Sequence, residues 1–125
     1  MKKILIVEDE PDIVEIMQVM LEDAGYLIET SNQGNELQQL DAHLLPDLII
    51  LDVLIYGKDG RELARYLKSQ PQTMHIPILM VSAHPMAKAE AEALGVEDFL
   101  DKPFEMEDFL SKVAYHLQEN GATGA

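Results

Sequence analysis

Leu48-Ile49-Ile50-Leu51-Asp52 places four branched apolar side chains in a row and ends on a carboxylate. A strand with one wet face alternates polar and apolar residues, whereas a strand covered on both faces does not. The run therefore predicts a central strand between two layers of helices. Working outward, short apolar runs recur at Lys3 to Val7, Tyr26 to Thr30, Ile76 to Val81 and Asp98 to Leu100. Segments of helical period separate them. Ile13, Ile16, Met17, Met20, Leu21 and Ala24 form a stripe that begins after Pro11 and stops at Gly25, the proline-in, glycine-out punctuation of a helix. Shorter stripes occupy Glu36 to Ala42 and Leu63, Ala64 and Leu67, and another runs from Met86 to Leu94. The last carries Met106, Phe109, Leu110, Val113, Ala114 and Leu117 on one face. Gly57-Lys58-Asp59-Gly60 reads as a loop, and Pro77 belongs near the start of its strand, where a missing N–H matters least. Strands alternating with helices predict an α/β fold, five strand–helix units in one doubly wound parallel sheet with five helices.

The 125 residues suit a single domain with one core. Residues 1–119 are expected to form it, and 120–125 a flexible C-terminal tail. Subtracting 23 acidic from 9 basic residues gives a net charge of −14, which repels a phosphate backbone and argues against direct nucleic-acid binding by this chain. The absence of cysteine excludes disulfides, thiolate metal sites and cysteine nucleophiles. Lys2-Lys3 before Ile4-Leu5-Ile6-Val7 resembles the start of a signal peptide, but the apolar run stops at Glu8. No apolar stretch reaches membrane-spanning length. A cytoplasmic location with no membrane contact is expected. His43, His75, His84 and His116 have no spacing that suggests a metal site.

Open α/β sheets bind ligands beyond the carboxyl ends of their strands, where the strand order reverses. The first strand delivers Glu8 and Asp9 to that edge and the third delivers Asp52. The fourth adds Ser82, and the fifth leads into Lys102-Pro103. Three carboxylates packed together repel one another unless a cation sits between them. Hard oxygen ligands of this kind suit Mg²⁺, which would also neutralise an incoming phosphoryl group. Asp52 is the best-placed nucleophile and would form a mixed anhydride with phosphate. Lys102 offers a positive charge, and Ser82 a hydroxyl, for the phosphoryl oxygens.

Four motifs stand in order and at matching spacing: Ile4-Leu5-Ile6-Val7-Glu8-Asp9-Glu10, Leu48 to Asp52, Ile78-Leu79-Met80-Val81-Ser82-Ala83, and Phe99-Leu100-Asp101-Lys102-Pro103-Phe104. Through them the chain resembles the receiver domains of two-component response regulators over nearly its whole length. The resemblance implies the flavodoxin-like strand order 2-1-3-4-5. It makes Asp52 the phosphoacceptor, with Asp9 and Asp52 as direct Mg²⁺ ligands, Glu8 acting through water and Leu54 giving a backbone carbonyl. Ser82 and Lys102 would hold phosphoryl oxygens, and Lys102-Pro103 would be a cis bond. The implied function is a phosphorylation-activated switch in a phosphorelay, supplied by a histidine kinase or a phosphotransfer protein. Its own chemistry would be limited to Mg²⁺-dependent self-phosphorylation from a phosphodonor and self-dephosphorylation. On phosphorylation Ser82 would be drawn to the acceptor and Phe99 would turn inward. The fourth helix, fifth strand and fifth helix would then present a changed face to a downstream protein target or to an output domain absent from this chain. The sequence departs from the family pattern after the acceptor: Ile55-Tyr56 stand where Met-Pro is common, and Glu8 replaces the commoner first aspartate. The changed loop bears on partner contact or phosphate lifetime.

Other readings compete. Asp52, Glu8 and Asp9 are also residues that cap loops and helices, Ser82 alone suits a turn, and Lys102 alone is an ordinary surface charge. Phe99 suits a core position. His84, two residues after Ser82, stands where it could gate water attack on a phosphoryl group. An aspartyl-phosphate hydrolase would need a second aspartate at position 54, which is Leu. A flavin binder would need a Ser/Thr-rich phosphate loop after the first strand, which the sequence lacks, and there is no Trp to stack on the ring. A phosphorylation-independent interaction module has no use for Asp9, Asp52, Ser82 and Lys102 together.

Overall fold

The computed structural model of the chain describes residues 2–31, 45–55, 58–83 and 88–117. Its elements are β1 (Lys3–Val7), α1 (Pro11–Asp23), β2 (Leu27–Ser31), β3 (Leu48–Asp52), β4 (Leu54–Ile55), β5 (Lys58–Asp59), α2 (Gly60–Ser69), β6 (Ile78–Ser82), α3 (Lys88–Leu94), β7 (Asp98–Asp101) and α4 (Met106–Leu117). Five strands form a parallel sheet in the order β2-β1-β3-β6-β7. Counted among themselves, these strands run 2-1-3-4-5, as expected. The expected helix over Glu36 to Ala42 lies outside the described residues, so α2, α3 and α4 are the expected third, fourth and fifth helices. β1 sits between β2 and β3, so the chain leaves it first to one side and then to the other. The carboxyl ends of β1 and β3 therefore flank the crevice of a doubly wound sheet.

The apolar run that opened the sequence reading is buried on both faces. Ile49 and Leu51 join Leu5, Val7, Ile78 and Met80 in a core covered by Ala64 and Leu67 of α2 and Leu94 of α3. Leu48 and Ile50 join Ile4, Ile6, Leu79 and Val81 in a second core, covered by Met17 and Leu21 of α1 and by Phe109, Val113 and Leu117 of α4. Side chains of a strand alternate between faces, so each strand serves both cores in turn. On β7, Phe99 packs on the first core and Leu100 on the second.

Three local expectations are corrected. Lys58 and Asp59 are not loop: they pair antiparallel with Ile55 and Leu54 in a small two-stranded sheet, and α2 already begins at Gly60. The Asp59 carboxylate accepts from the Arg61 backbone N–H at 2.9 Å, an N-cap that starts the helix before its first apolar residue. The fourth sheet strand begins at Ile78, with Ile76 and Pro77 ahead of it, although Ile76 is buried and the Pro77 carbonyl accepts from Ile49 N–H. Ile16 and Met106 lie in helical apolar stripes yet are 57% exposed, because α1 and α4 each turn only a narrow strip toward the sheet.

Candidate functional site

The strand ends bring together a compact acidic site. β1 runs into Glu8, whose N–H donates to the Ser31 carbonyl at 3.1 Å, extending the β1–β2 ladder by one residue. β3 ends on Asp52, and both Glu8 and Asp52 are buried. Glu8, Asp9 and Asp52 each offer a carboxylate oxygen within 4.8 Å of the others. Past β7, Lys102 N–H donates to the Ser82 carbonyl at 2.6 Å and the Lys102–Pro103 bond is cis. From there the Lys102 ammonium reaches Glu8 Oε1 at 3.1 Å, Asp52 Oδ2 at 3.5 Å and Glu10 Oε1 at 3.6 Å.

One ammonium does not cancel this charge. Burial, and then the neighbouring Asp52, push the Glu8 carboxyl up to about 7 against the opposing pull of Lys102. Burial alone would lower Lys102, but Glu8, Asp52 and Glu10 outweigh it and hold the ammonium above its ordinary value. The donors are all hard oxygens, and the surplus negative charge at Glu8 is what a divalent cation relieves, so the residues fit Mg²⁺.

Ser82 is buried at the end of β6, one residue beyond Val81, which pairs with Asp52. Leu54 lies two residues past Asp52 and its backbone pairs with Asp59. Phe99 is half-buried on β7, three residues before Lys102. Next to it, Asp98 receives Lys112 Nζ at 3.0 Å and lies 3.0 Å from His116 Nε2, tying β7 to α4. His116 is thus locally bonded, and His84 lies outside the described residues. Beside Lys102 an apolar groove of about 570 Å³ opens between α1 and the turn after β7, lined by Ile13, Ile16, Met17, Ala83, Pro103 and Phe104.

The sequence reading missed Glu10, which shares Lys102, and the surroundings of Gly60. Gly60 N–H donates to the Val53 carbonyl at 2.5 Å, and its Cα faces the Asp52 carbonyl. The Asp-Gly pair just ahead of a helical stripe was the available signal.

Comparison with known proteins agrees with this geometry. The family model described as response regulator receiver domain matches residues 4–114. The chain is 35% identical over 115 residues to the DNA-binding dual master transcriptional regulator RpaA of Synechocystis sp., covering 90% of this chain and 48% of that protein. It spans about half the length of the curated relatives that it matches. A putative response regulator from Chloroflexus aurantiacus superimposes with a TM-score of 0.85 at 33% identity, covering 94% of this chain and 98% of the other. The response regulator TrrA of Thermotoga maritima, solved with Mg²⁺ and a beryllium fluoride, gives 0.81 at 28% identity, covering 94% and 100%. No helix among the described residues is long and apolar enough to cross a membrane. With its 2-1-3-4-5 parallel sheet and the Glu8, Asp9 and Asp52 cluster at the sheet's switch point, the chain belongs to the receiver domain family of two-component response regulators.

Proposed function

We propose that the chain is a phosphorylation-activated switch that accepts a phosphoryl group on Asp52 from a histidine kinase or a phosphotransfer protein. The observation that carries this is the convergence of Glu8, Asp9, Asp52 and Lys102 at the carboxyl edge of β1 and β3. Asp9 and Asp52 would hold Mg²⁺ directly, Glu8 through water, and Leu54 through its backbone carbonyl. The bound cation supplies charge neutralisation for the phosphoryl oxygens. An Asp52 oxygen forms the bond to phosphorus while the bond from phosphorus to the donor nitrogen breaks, its electron pair staying on that nitrogen. Lys102 pairs with one phosphoryl oxygen and Ser82 donates its hydroxyl to another.

Phosphate can shift only an equilibrium between states that hold it differently. Drawing Ser82 toward Asp52 opens space that Phe99 fills, and the face formed by α3, β7 and α4 changes for a downstream protein or output domain. The reaction is confined to uptake and loss of the chain's own phosphoryl group, in a cytoplasmic setting. Intact mass after incubation with Mg²⁺ and a small-molecule phosphodonor tests this. One added phosphoryl group in wild type and none in Asp52→Asn supports it. No uptake by folded wild type would favour a phosphorylation-independent interaction module.

A further inference from the structure

We propose that Arg61 is a positioning residue, held by Glu90 of α3, that clamps Asp59 and thereby fixes the backbone of Val53 and Leu54 just after Asp52; this rests on the function proposed above. Arg61 Nε donates to Asp59 Oδ1 at 2.9 Å and one terminal nitrogen to Oδ2 at 3.0 Å, a two-pronged grip on one carboxylate. The other terminal nitrogen donates to Glu90 Oε2 at 2.5 Å. Alone, a pair two residues apart would constrain little beyond the first turn of α2. Glu90, 29 residues further on, turns it into a tie between α2 and α3.

The grip reaches the acceptor strand through backbone. Asp59 pairs with Leu54, and Gly60 N–H holds the Val53 carbonyl. On the opposite side, Val53 N–H donates to the Val81 carbonyl at 3.0 Å. Residues 53 and 54 are therefore fixed between β6 and the start of α2, and Arg61 fixes the start of α2. The Arg61 hydrogen bonds overcome burial and hold the Asp59 carboxyl below the usual carboxylate range, the mark of a charge-assisted contact. A lysine, with no planar fork, could not grip both oxygens and Glu90 together.

Calorimetric titration of the intact chain with Mg²⁺ separates the clamp from simple electrostatics. Removing a positive charge near a cation site tightens cation binding, whereas loosening the Leu54 backbone weakens it. Arg61→Gln is expected to weaken Mg²⁺ binding about two- to five-fold, the scale of a half-exposed ion pair. In α3, Glu90→Gln is expected to weaken it more than the charge-matched Glu92→Gln. Lys112→Met, which breaks an ion pair on β7 and α4, should leave Mg²⁺ affinity unchanged. Binding in Arg61→Gln equal to or tighter than wild type, or equal effects of the two α3 variants, would overturn the clamp alone. Absence of Mg²⁺ binding in folded wild type would overturn both the proposed function and the clamp.

Discussion

Gly60 lies against the carbonyl of Asp52 so closely that a Cβ at position 60 would overlap that oxygen. The oxygen is backbone and a Cβ is held rigidly by its own Cα, so neither can rotate away. Gly60→Ala is expected to cost about 3 kcal/mol, the upper end for overpacking, measured by urea unfolding. Gly25 is the contrast: it has a φ of +102° but open space around it, so Gly25→Ala should cost only about 1 kcal/mol of backbone strain. Equal costs at the two positions would show that the start of α2 can slide off the acceptor strand.

Glu8 sets a pH dependence of unusual sign for a carboxylate. Its carboxyl lies at about 7 in the folded chain against an ordinary value of 4.5, so the folded state holds that proton more tightly than the unfolded state. Its contribution to stability is full below about pH 4.5 and is lost as pH rises through about 7. Thermal melts without metal should decline across that window, and Glu8→Gln should flatten the decline. At pH near 8, Mg²⁺ should raise the melting temperature of wild type by mass action. A wild type indifferent to both pH and Mg²⁺ would contradict this account.

Asp98 works in the ordinary direction. Burial raises its carboxyl, but the contacts with His116, Lys112 and the Phe99 N–H outweigh burial and hold it below the usual carboxylate range. A folded-state value below the unfolded one stabilises above the usual carboxylate range, and that stability is lost as pH falls through the lowered value. Asp98→Asn should therefore lower stability at neutral pH by up to about 1 kcal/mol and converge with wild type in acid. Denaturation midpoints at pH 7 and pH 3 decide it; an equal deficit at both would point to packing instead.

Phe99 is placed to separate chemistry from response. It packs on the core beneath α2 and α3, on the sheet face opposite Ile50 and Ile6. Phe99→Ala is expected to cost about 2 kcal/mol of stability and to leave phosphoryl uptake intact, while shrinking the beryllofluoride-induced amide shifts in α3, β7 and α4. Loss of uptake, or an undiminished shift pattern, would remove Phe99 from the switch.

The parts of this fold that were legible in the sequence are those where one physical rule acted alone. Leu48 to Leu51 reads as a doubly covered strand because a short β-branched-rich apolar run without polar alternation, ending on a carboxylate, suits burial on both faces, and Glu8, Asp9, Asp52 and Lys102 fall together because parallel strands end on one edge. Ile16 and Met106 were misjudged because helical period marks a stripe without saying how wide a strip the sheet will cover. Asp59 and Lys58 looked like loop because Gly57 and Gly60 flank them, and only the pairing with Leu54 and Ile55 made them strand. The contact of Arg61 with Glu90 joins residues 29 positions apart on two helices, a relation that no local pattern records.

The two cores give the sheet a final property. By strand alternation Asp52 and Glu8 leave their strands on the face of Ile50 and Ile6, under α1 and α4, whereas Ser82 leaves on the face of Met80, the side on which Phe99 packs. The sheet is thus a partition, with the acidic strand ends on one side and the Phe99 ring on the other. On the function proposed above, Ser82, at the rim where the partition ends, would be the point at which phosphate on one side is felt on the other.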